Sequence, residues 1–269
     1  MQAFFLPGRQ GQRFCLYHAA RNGKARGAII YLHPFAEEMN KSRRMAALQA
    51  QAMVAAGFDV LQIDLLGCGD SAGDFGDATW QVWQNDVQDG YRWLRTQSAA
   101  PLTLWGLRAG CLLAACAAVD LPEAADFVFW QPVVSGKQHW QQFMRLKVAG
   151  ELASGQGKGV TEQLRQQLAV GQAVEIAGYS VAPGLAAGLE MADLQPPKQQ
   201  AGRVAWFELS TREDATLAPV SQKRIEQWQA AGFTVEAKVV NGPGFWQTAE
   251  IEEAPELIAA TLAVLESGR

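Results

Sequence analysis

The sequence predicts an α/β fold, in which one mostly parallel sheet is covered by helices on both faces. Short apolar runs of strand length alternate along the chain with segments whose apolar residues recur every three or four positions. Several of these runs are continuously apolar, as expected for parallel strands buried on both faces. A chain of 269 residues is long enough to enclose one large core of this kind.

The individual elements follow from these two periodicities and from turn residues. Asn40 or Ser42 is expected to cap the first helix, and Gly57 to stop it. Trp80, Trp83 and the apolar residues after them at the same spacing mark the second helix. The predicted strands span residues 14–19, 27–33, 58–65, 101–105, 127–130, 203–209 and 233–240, and the later helices span residues 109–119, 216–230 and 255–265.

The alternation stops between residues 137 and 200, which are helical or glycine-rich in pattern. We therefore expect a core formed by residues 1–136 and 201–269, with residues 137–200 inserted as a lid. An insertion at this point would cover the carboxyl ends of the strands, where open α/β sheets bind ligands. The alternative is a helical addition to the core with no role in a site.

Composition excludes several classes of function. The formal net charge of −4 argues against a nucleic-acid-binding protein, because phosphates need a basic surface. Four cysteines in so long a chain do not form a disulfide framework, which favours a reducing compartment. Because no apolar run is long enough for a signal peptide or a membrane span, we expect a cytoplasmic protein. Cofactor fingerprints and metal-binding spacings are also lacking, so neither group is expected.

Three motifs occur in a fixed order, each directly after a predicted strand. They are His33-Pro34-Phe35, the loop from Asp64 to Ser71 (Asp-Leu-Leu-Gly-Cys-Gly-Asp-Ser), and Gly106-Leu-Arg-Ala-Gly110 before a helix of small residues. Together they resemble the α/β-hydrolase superfamily. The resemblance implies that the first motif contributes to an oxyanion hole and that the third is the nucleophile elbow, normally G-x-S-x-G.

A finer resemblance is to the family called exosortase A system-associated hydrolase, type 2. It depends on residues 32–41 (Leu-His-Pro-Phe-Ala-Glu-Glu-Met-Asn-Lys), 104–110 (Leu-Trp-Gly-Leu-Arg-Ala-Gly) and 177–179 (Ala-Gly-Tyr). This resemblance implies a protein encoded beside bacterial exopolysaccharide and PEP-CTERM protein-sorting systems, with a protein partner in such a system.

Acyl transfer on this fold needs a nucleophile, a base and an acid. The nucleophile position holds Arg108, and a guanidinium has no lone pair with which to attack a carbonyl. The loop after the last strand, residues 241–247, lacks histidine and places Phe245 or Trp246 at the position of the base. Asp214, or its neighbour Glu213, suits the acid position. Only one of the three positions therefore keeps suitable chemistry.

Arg108 has two interpretations. With the backbone N–H groups of Phe35 and Ala109, it would form a positive site for a small anion such as a carboxylate, phosphate or sugar acid. Alternatively it is neutralised by Asp214, Glu213 or Glu37 and only closes the old site. Either way it requires a partner, because a cation beside a helix N-terminus is unfavourable.

Other residues leave a catalytic alternative open. Cys68 or Ser71 could serve as a nucleophile with His33 as base, giving a hydrolase or acyl transferase for esters, thioesters or amides with Arg108 as a substrate clamp. The competing interpretation is that the Ser71 hydroxyl ties down its own loop.

Further residues near the expected site have alternative roles as well. Glu37 and Glu38, which follow His33, are candidate ligand-binding residues, although they lack a metal-binding pattern. Glu38, Lys41 and Arg44 are spaced for ion pairs along one helix face. Trp140 and Trp246 could line a pocket that stacks on the ring of a carbohydrate-like ligand, or they could simply pack.

Overall fold

A computed structural model of the protein describes residues 1–21, 23–152, 159–198 and 201–267. Ten strands and eight α-helices alternate over these residues, with a short 3₁₀ turn at Phe75–Asp77. The strands are β1 (Gln2–Gly8), β2 (Gly11–His18), β3 (Gly27–Leu32), β4 (Phe58–Ile63), β5 (Leu102–Leu107), β6 (Asp126–Trp130), β7 (Val174–Ile176), β8 (Tyr179–Val181), β9 (Arg203–Ser210) and β10 (Thr234–Asn241). The helices are α1 (Glu37–Ala55), α2 (Trp80–Gln97), α3 (Ala109–Ala118), α4 (Gly136–Leu152), α5 (Val160–Ala169), α6 (Pro183–Met191), α7 (Pro219–Ala230) and α8 (Pro255–Ser267).

Eight of the strands form one sheet in the order β1-β2-β4-β3-β5-β6-β9-β10. In this order, each neighbouring pair from β4 to β10 is parallel. Strands β1 and β2 form an antiparallel hairpin, and β2 also pairs antiparallel with β4. Since β3 and β5 are neighbours, with Leu32 opposite Gly106, the loops that follow them lie side by side. The predicted motifs at residues 33–35 and 106–110 therefore meet at the carboxyl edge of the sheet.

Helices cover both faces of the sheet, as predicted, because successive strand residues point to opposite faces. One face packs Ile29, Tyr31 and Trp105 against α1 and α8. The other packs Ile30 and Leu104 against α2, α3 and α7. The apolar positions expected for α2 are all buried, including Trp80 and Trp83.

Some local predictions are wrong. The strand β1 was not predicted, because its only buried side chain is Leu6 and its apolar pattern is correspondingly weak. Helix α1 begins at Glu37, so Asn40 and Ser42 lie within it and do not cap it. The Ser42 hydroxyl instead donates to the carbonyl oxygen of Glu38 (2.7 Å). Gly57, with φ 93°, follows the end of α1 as predicted.

The segment between β6 and β9 contains α4, α5 and α6 and a small hairpin of β7 and β8. The hairpin was not predicted from the glycine-rich pattern. The hydroxyl of Tyr179 donates to Glu37 Oε2 (3.0 Å) and accepts from the Asn40 amide (3.2 Å), which attaches the hairpin to the first turn of α1. Residues 153–158 and 199–200 of the expected insertion lie outside the described residues. In the described part of the chain, no helix is both long and apolar enough to cross a bilayer.

Candidate active site

Arg108 occupies a sharp turn between β5 and α3. Its backbone has φ 55° and ψ −119°, a conformation that is strained for any residue with a side chain. The flanking glycines are required sterically. A Cβ on Gly106 would lie 2.6 Å from the Cys111 backbone, and one on Gly110 would lie 2.2 Å from the Leu32 carbonyl oxygen. The geometry is that of a strand-to-helix elbow that projects its central side chain above the sheet.

The partner of Arg108 is Glu38, at the start of α1. Arg108 Nε donates to Glu38 Oε1 over 3.1 Å, and both side chains are about one-fifth exposed (18% and 21%). The guanidinium carbon also lies 5.3 Å from the ring centre of Trp246, a cation–π contact. Burial raises the pKa of Glu38 even though the nearby Arg108 acts to lower it.

The expected partners of Arg108 lie elsewhere, so that prediction is wrong. Asp214 is on an exposed part of the loop after β9, with 82% of its side chain exposed, and pairs with Arg212 (3.5 Å). Glu213 is exposed on the same loop, and Glu37 accepts from Tyr179. The predicted ion pairs of Glu38 with Lys41 and Arg44 are wrong for the same reason, since Glu38 binds Arg108.

The other basic residues of this stretch fasten α1 to neighbouring loops. Arg44 pairs with Glu253, and Lys41 donates to the Thr248 carbonyl oxygen (2.9 Å).

Two backbone N–H groups accompany Arg108 at the carboxyl edge of the sheet. Among the described residues, no acceptor meets the N–H of Phe35 or of Ala109. Ala109 opens α3, whose N-terminal partial positive charge lies at the same place. The residue after Phe35, Ala36, has φ 52° and ψ −129°, so the β3 loop turns sharply before α1.

His33 is buried beneath the site with both ring nitrogens engaged. Nδ1 donates to the Pro34 carbonyl oxygen (2.8 Å), and Nε2 accepts from the Leu65 N–H (3.3 Å). Burial also lowers its pKa, so the neutral ring is favoured. The lone pair that a general base needs is therefore already used.

Hydrogen bonds of the Ser71 hydroxyl give the loop from Asp64 to Ser71 a structural role. The Ser71 hydroxyl donates to the Asp64 carbonyl oxygen (2.5 Å) and accepts from the Phe14 N–H (2.8 Å), so it ties the loop to β2. Cys68 is 5% exposed, and its pKa is raised by burial and then by the carboxylates of Asp64 and Asp86. A raised thiol pKa suppresses the thiolate that a nucleophile requires.

The aromatic residues divide between packing and the site. Trp140 is 1% exposed within the main core and lies beside Phe143, which favours the packing alternative. Phe245 is fully buried, edge-on to Trp130. Trp246, 5% exposed, is the residue of the loop after β10 that contacts Arg108.

A residue that sequence reasoning missed, His139, comes to the site from the first turns of α4. It is 7% exposed, its ring meets Phe35 edge-on at 6.0 Å, and it lines a shallow depression together with Arg108, Gln138 and Gln142. Burial, followed by the charge of Arg108, lowers the pKa of His139 to about 3. No local motif marks this residue, because its position depends on the packing of α4 against α3 and α6.

The described residues contain no group of three or more His, Cys, Asp or Glu side chains that could hold a metal ion. The elements of the site are thus a cation in a strained turn, a half-buried carboxylate, two backbone donors, an indole and a neutral imidazole.

The sheet order, the elbow after β5 and the paired loop after β3 define an α/β-hydrolase fold. Within that class, the chain belongs to the serine aminopeptidase S33 family, whose model matches residues 23–179. The match includes the β3 loop and the elbow and ends before β9 and β10. It therefore does not reach the loops in which the acid and the histidine of a triad are expected.

Solved structures agree on the fold over nearly the whole chain. A carboxyl esterase from Bacillus coagulans, solved with glycerol, has a TM-score of 0.67 at 12% identity, covering 99% of this chain and 98% of its own. Est1E from Butyrivibrio proteoclasticus, solved with ferulic acid, has a TM-score of 0.66 at 12% identity, covering 98% and 97%. A proline iminopeptidase from Mycobacterium smegmatis has a TM-score of 0.59 at 14% identity, covering 99% and 98%. No curated protein sequence matches the chain.

Proposed function

We propose that this protein is a member of the hydrolase fold that has lost triad chemistry and binds a small anionic ligand at the elbow. The observation that carries the proposal is the conformation of Arg108. Its backbone has the strained turn expected at the nucleophile position of this fold, but its side chain is a guanidinium. Selection against strain would relax such a turn unless the side chain it projects has a use.

The residues around the elbow argue against acyl transfer. Arg108 has no nucleophilic lone pair. The chain has three histidines. His33 is locked by two hydrogen bonds, His18 lies on β2 beside Gln62, and His139 has a pKa of about 3. A base of that strength is almost never protonated near neutral pH, so it is poorly suited to take up a proton in catalysis.

The same residues favour an anion. Glu38 accepts a hydrogen bond only from the Nε of Arg108. Among the described residues, no side chain or carbonyl oxygen accepts from the two terminal nitrogens of Arg108. Charge-assisted hydrogen bonds from these nitrogens, together with the N–H groups of Phe35 and Ala109, suit a carboxylate or phosphate. Trp246 holds the guanidinium from one side.

The β6–β9 segment would act as a lid in this proposal, with residues 137–200 inserted into a core of residues 1–136 and 201–269. Its contacts support this role, since Tyr179 attaches it to α1 and His139 brings it to Arg108. The resemblance to exosortase-associated hydrolases adds a finer proposal, in which the protein acts in the cytoplasm beside an exopolysaccharide or protein-sorting system and has a partner there.

Hydrolysis of an ester or amide is the second candidate, and the family match across the elbow favours it. A serine-reactive phosphonate probe and a panel of short esters and amino-acid amides test it directly. We expect no covalent labelling and no turnover. Labelling that is abolished by Cys68→Ala or Ser71→Ala would overturn the binding proposal.

Anion binding is tested by calorimetric titration with inorganic phosphate and with acetate. Arg108→Gln removes the charge, and Arg92→Gln is the matched control because Arg92 lies on the exposed face of α2, paired only at the surface with Asp89. Loss of charge-assisted bonds of about 1.5–3 kcal/mol predicts a fall in affinity of roughly 10- to 100-fold in Arg108→Gln. Equal affinities in both variants would remove Arg108 from the site.

A further inference from the structure

A second cavity, separate from the elbow, lies between α1 and the strands β2, β3 and β4. Its volume is about 240 Å³. Phe14 and Leu16 of β2 form one wall, because alternate residues of a strand point to the same face of the sheet. Met39, Ala46 and Ala47 of α1 form the opposite wall. Each alanine carries only a methyl group, so the helix does not fill the space above the strands.

The cavity contains a hydroxyl group that has no partner in the protein. Tyr31 of β3 lines the cavity, is 5% exposed, and packs its ring against Trp105 with 4.3 Å between the ring centres. Among the described residues, no group forms a hydrogen bond with the Tyr31 hydroxyl, which stays open to the cavity, whereas the unpartnered Trp105 Nε1 is sealed off. Burial raises the pKa of Tyr31, so the hydroxyl keeps its proton. Because buried polar groups are nearly always hydrogen-bonded, a reachable hydroxyl without a partner indicates a ligand site.

The other polar side chains of this cavity are largely paired with their neighbours. Arg43 Nη2 donates to Asp64 Oδ2 (3.1 Å), which makes a pair without net charge. His33 uses both of its ring nitrogens. Gln62 accepts from His18 Nε2 through Oε1 (3.3 Å), which leaves its N–H groups without an acceptor among the described residues. The cavity therefore offers a hydroxyl and an amide donor between apolar walls.

We propose that this cavity binds a small neutral molecule of the phenol class, with one aromatic ring and one hydroxyl group. The ring lies between Phe14, Leu16 and Met39, and the hydroxyl forms hydrogen bonds with Tyr31 and Gln62. An apolar cavity of about 150 Å³ holds benzene, so a volume of about 240 Å³ accommodates a ring with a substituent. The described lining residues do not include Arg108, so this inference does not depend on the proposed anion-binding function.

Two other classes of ligand suit the cavity less well. A carboxylate would lose its hydration between apolar walls and be repelled by Asp64, whereas the charge of Arg43 is already neutralised. A wholly apolar ring would leave the Tyr31 hydroxyl and the Gln62 amide without partners. A phenolic hydroxyl is neutral and both donates and accepts, so it can pair with both groups.

The test is methyl NMR of the full chain, labelled with ¹³C at the methyl groups of its six methionines. Met39 lines the cavity, whereas Met191 is exposed on α6. Titration with phenol should shift the Met39 signal in a saturable manner and leave the Met191 signal unchanged. Toluene has the same number of non-hydrogen atoms but no hydrogen-bonding group. It should bind roughly three- to tenfold more weakly than phenol, which corresponds to the loss of one net hydrogen bond.

Matched variants locate the ligand within the cavity. Tyr31→Phe keeps the ring and removes only the hydroxyl, so phenol and toluene should then bind equally. Tyr91→Phe is the control, because Tyr91 is buried on the opposite face of the sheet, and it should keep the preference for phenol. Ala47→Leu extends a side chain into the cavity and should abolish the saturable shift of Met39. Ala55→Leu, at an exposed position of the same helix, should retain it.

Three results would overturn the inference. If phenol causes no saturable shift of the Met39 signal, the cavity is not a binding site. If toluene binds the parent protein as tightly as phenol, the Tyr31 hydroxyl has no part in recognition. If benzoate binds more tightly than phenol, the ligand is an anion and not a neutral molecule. Should Tyr31→Phe fail to fold, the comparison of the three ligands in the parent protein and in Ala47→Leu still decides the matter.

Discussion

The strained backbone at Arg108 leads to a prediction with an unusual sign. A residue with a side chain at φ 55° and ψ −119° carries a conformational cost of about 1–3 kcal/mol, which glycine does not. Arg108→Gly and Arg108→Ala both remove the contacts with Glu38 and Trp246. Those losses cancel when the two variants are compared, so their difference isolates the backbone.

The expected difference in the free energy of unfolding is the backbone strain that glycine relieves, minus the extra conformational entropy that glycine gives to the unfolded chain. Strain relief contributes about 1–3 kcal/mol in favour of glycine, and the unfolded-state entropy opposes it by about 0.5–1 kcal/mol. We therefore expect Arg108→Gly to be more stable than Arg108→Ala by about 0–2.5 kcal/mol, with a midpoint near 1 kcal/mol.

The assay is equilibrium unfolding in urea, with the same pair of substitutions at Arg92 as a control. Arg92 lies in the interior of α2 with an exposed side chain, and alanine should there be more stable than glycine by about 1 kcal/mol. The preference should thus reverse between the two sites. If Arg108→Ala is instead more stable than Arg108→Gly, the elbow is not strained.

Three further predictions concern packing and charge near the site. Asp86→Asn should reduce the free energy of unfolding by about 3–5 kcal/mol, because it breaks the buried pair with Arg13 (2.8 Å, both nearly inaccessible); a loss below about 1 kcal/mol in urea titration would contradict this. Gly110→Ala should cost about 1–3 kcal/mol or more through its contact with backbone in β3, whereas Gly150→Ala in α4, with nothing near its added Cβ, should be neutral or stabilising by thermal unfolding. Burial raises the pKa of Glu38 above 4.5, so its contribution to the free energy of unfolding is greatest below pH 4.5 and is lost as pH rises through the folded-state pKa. The stability of the parent relative to Glu38→Gln, measured by urea unfolding across this range, should therefore fall with rising pH. A rise would show that Arg108 outweighs burial.

The sequence was sufficient to predict the parts of the fold that local pattern determines. Continuous apolar runs located the six strands from β3 to β6 and from β9 to β10, and three-to-four spacing located α2 with its buried face. The elbow was also predictable, because Gly106 and Gly110 are needed wherever backbone must approach backbone at this distance. Strand β1 escaped prediction because an edge strand with one buried side chain, Leu6, leaves almost no periodic signal.

The partners of Arg108 could not be predicted in the same way, because they depend on the directions in which loops leave the sheet. Asp214 lies in the expected loop after β9, but that loop places its carboxylate in solvent, where a charge is cheaply hydrated. Glu38 was expected near the site because it follows His33, although not as the partner of Arg108, and His139 lies on a helix from a different segment with no motif around it. The salt bridge to Arg108 offsets part of the cost of burying Glu38, whereas the position of His139 depends on the packing of its helix and both of its ring nitrogens lack a hydrogen-bond partner among the described residues. A site of this kind is therefore defined by tertiary structure, and single-residue patterns in the sequence carry little information about it.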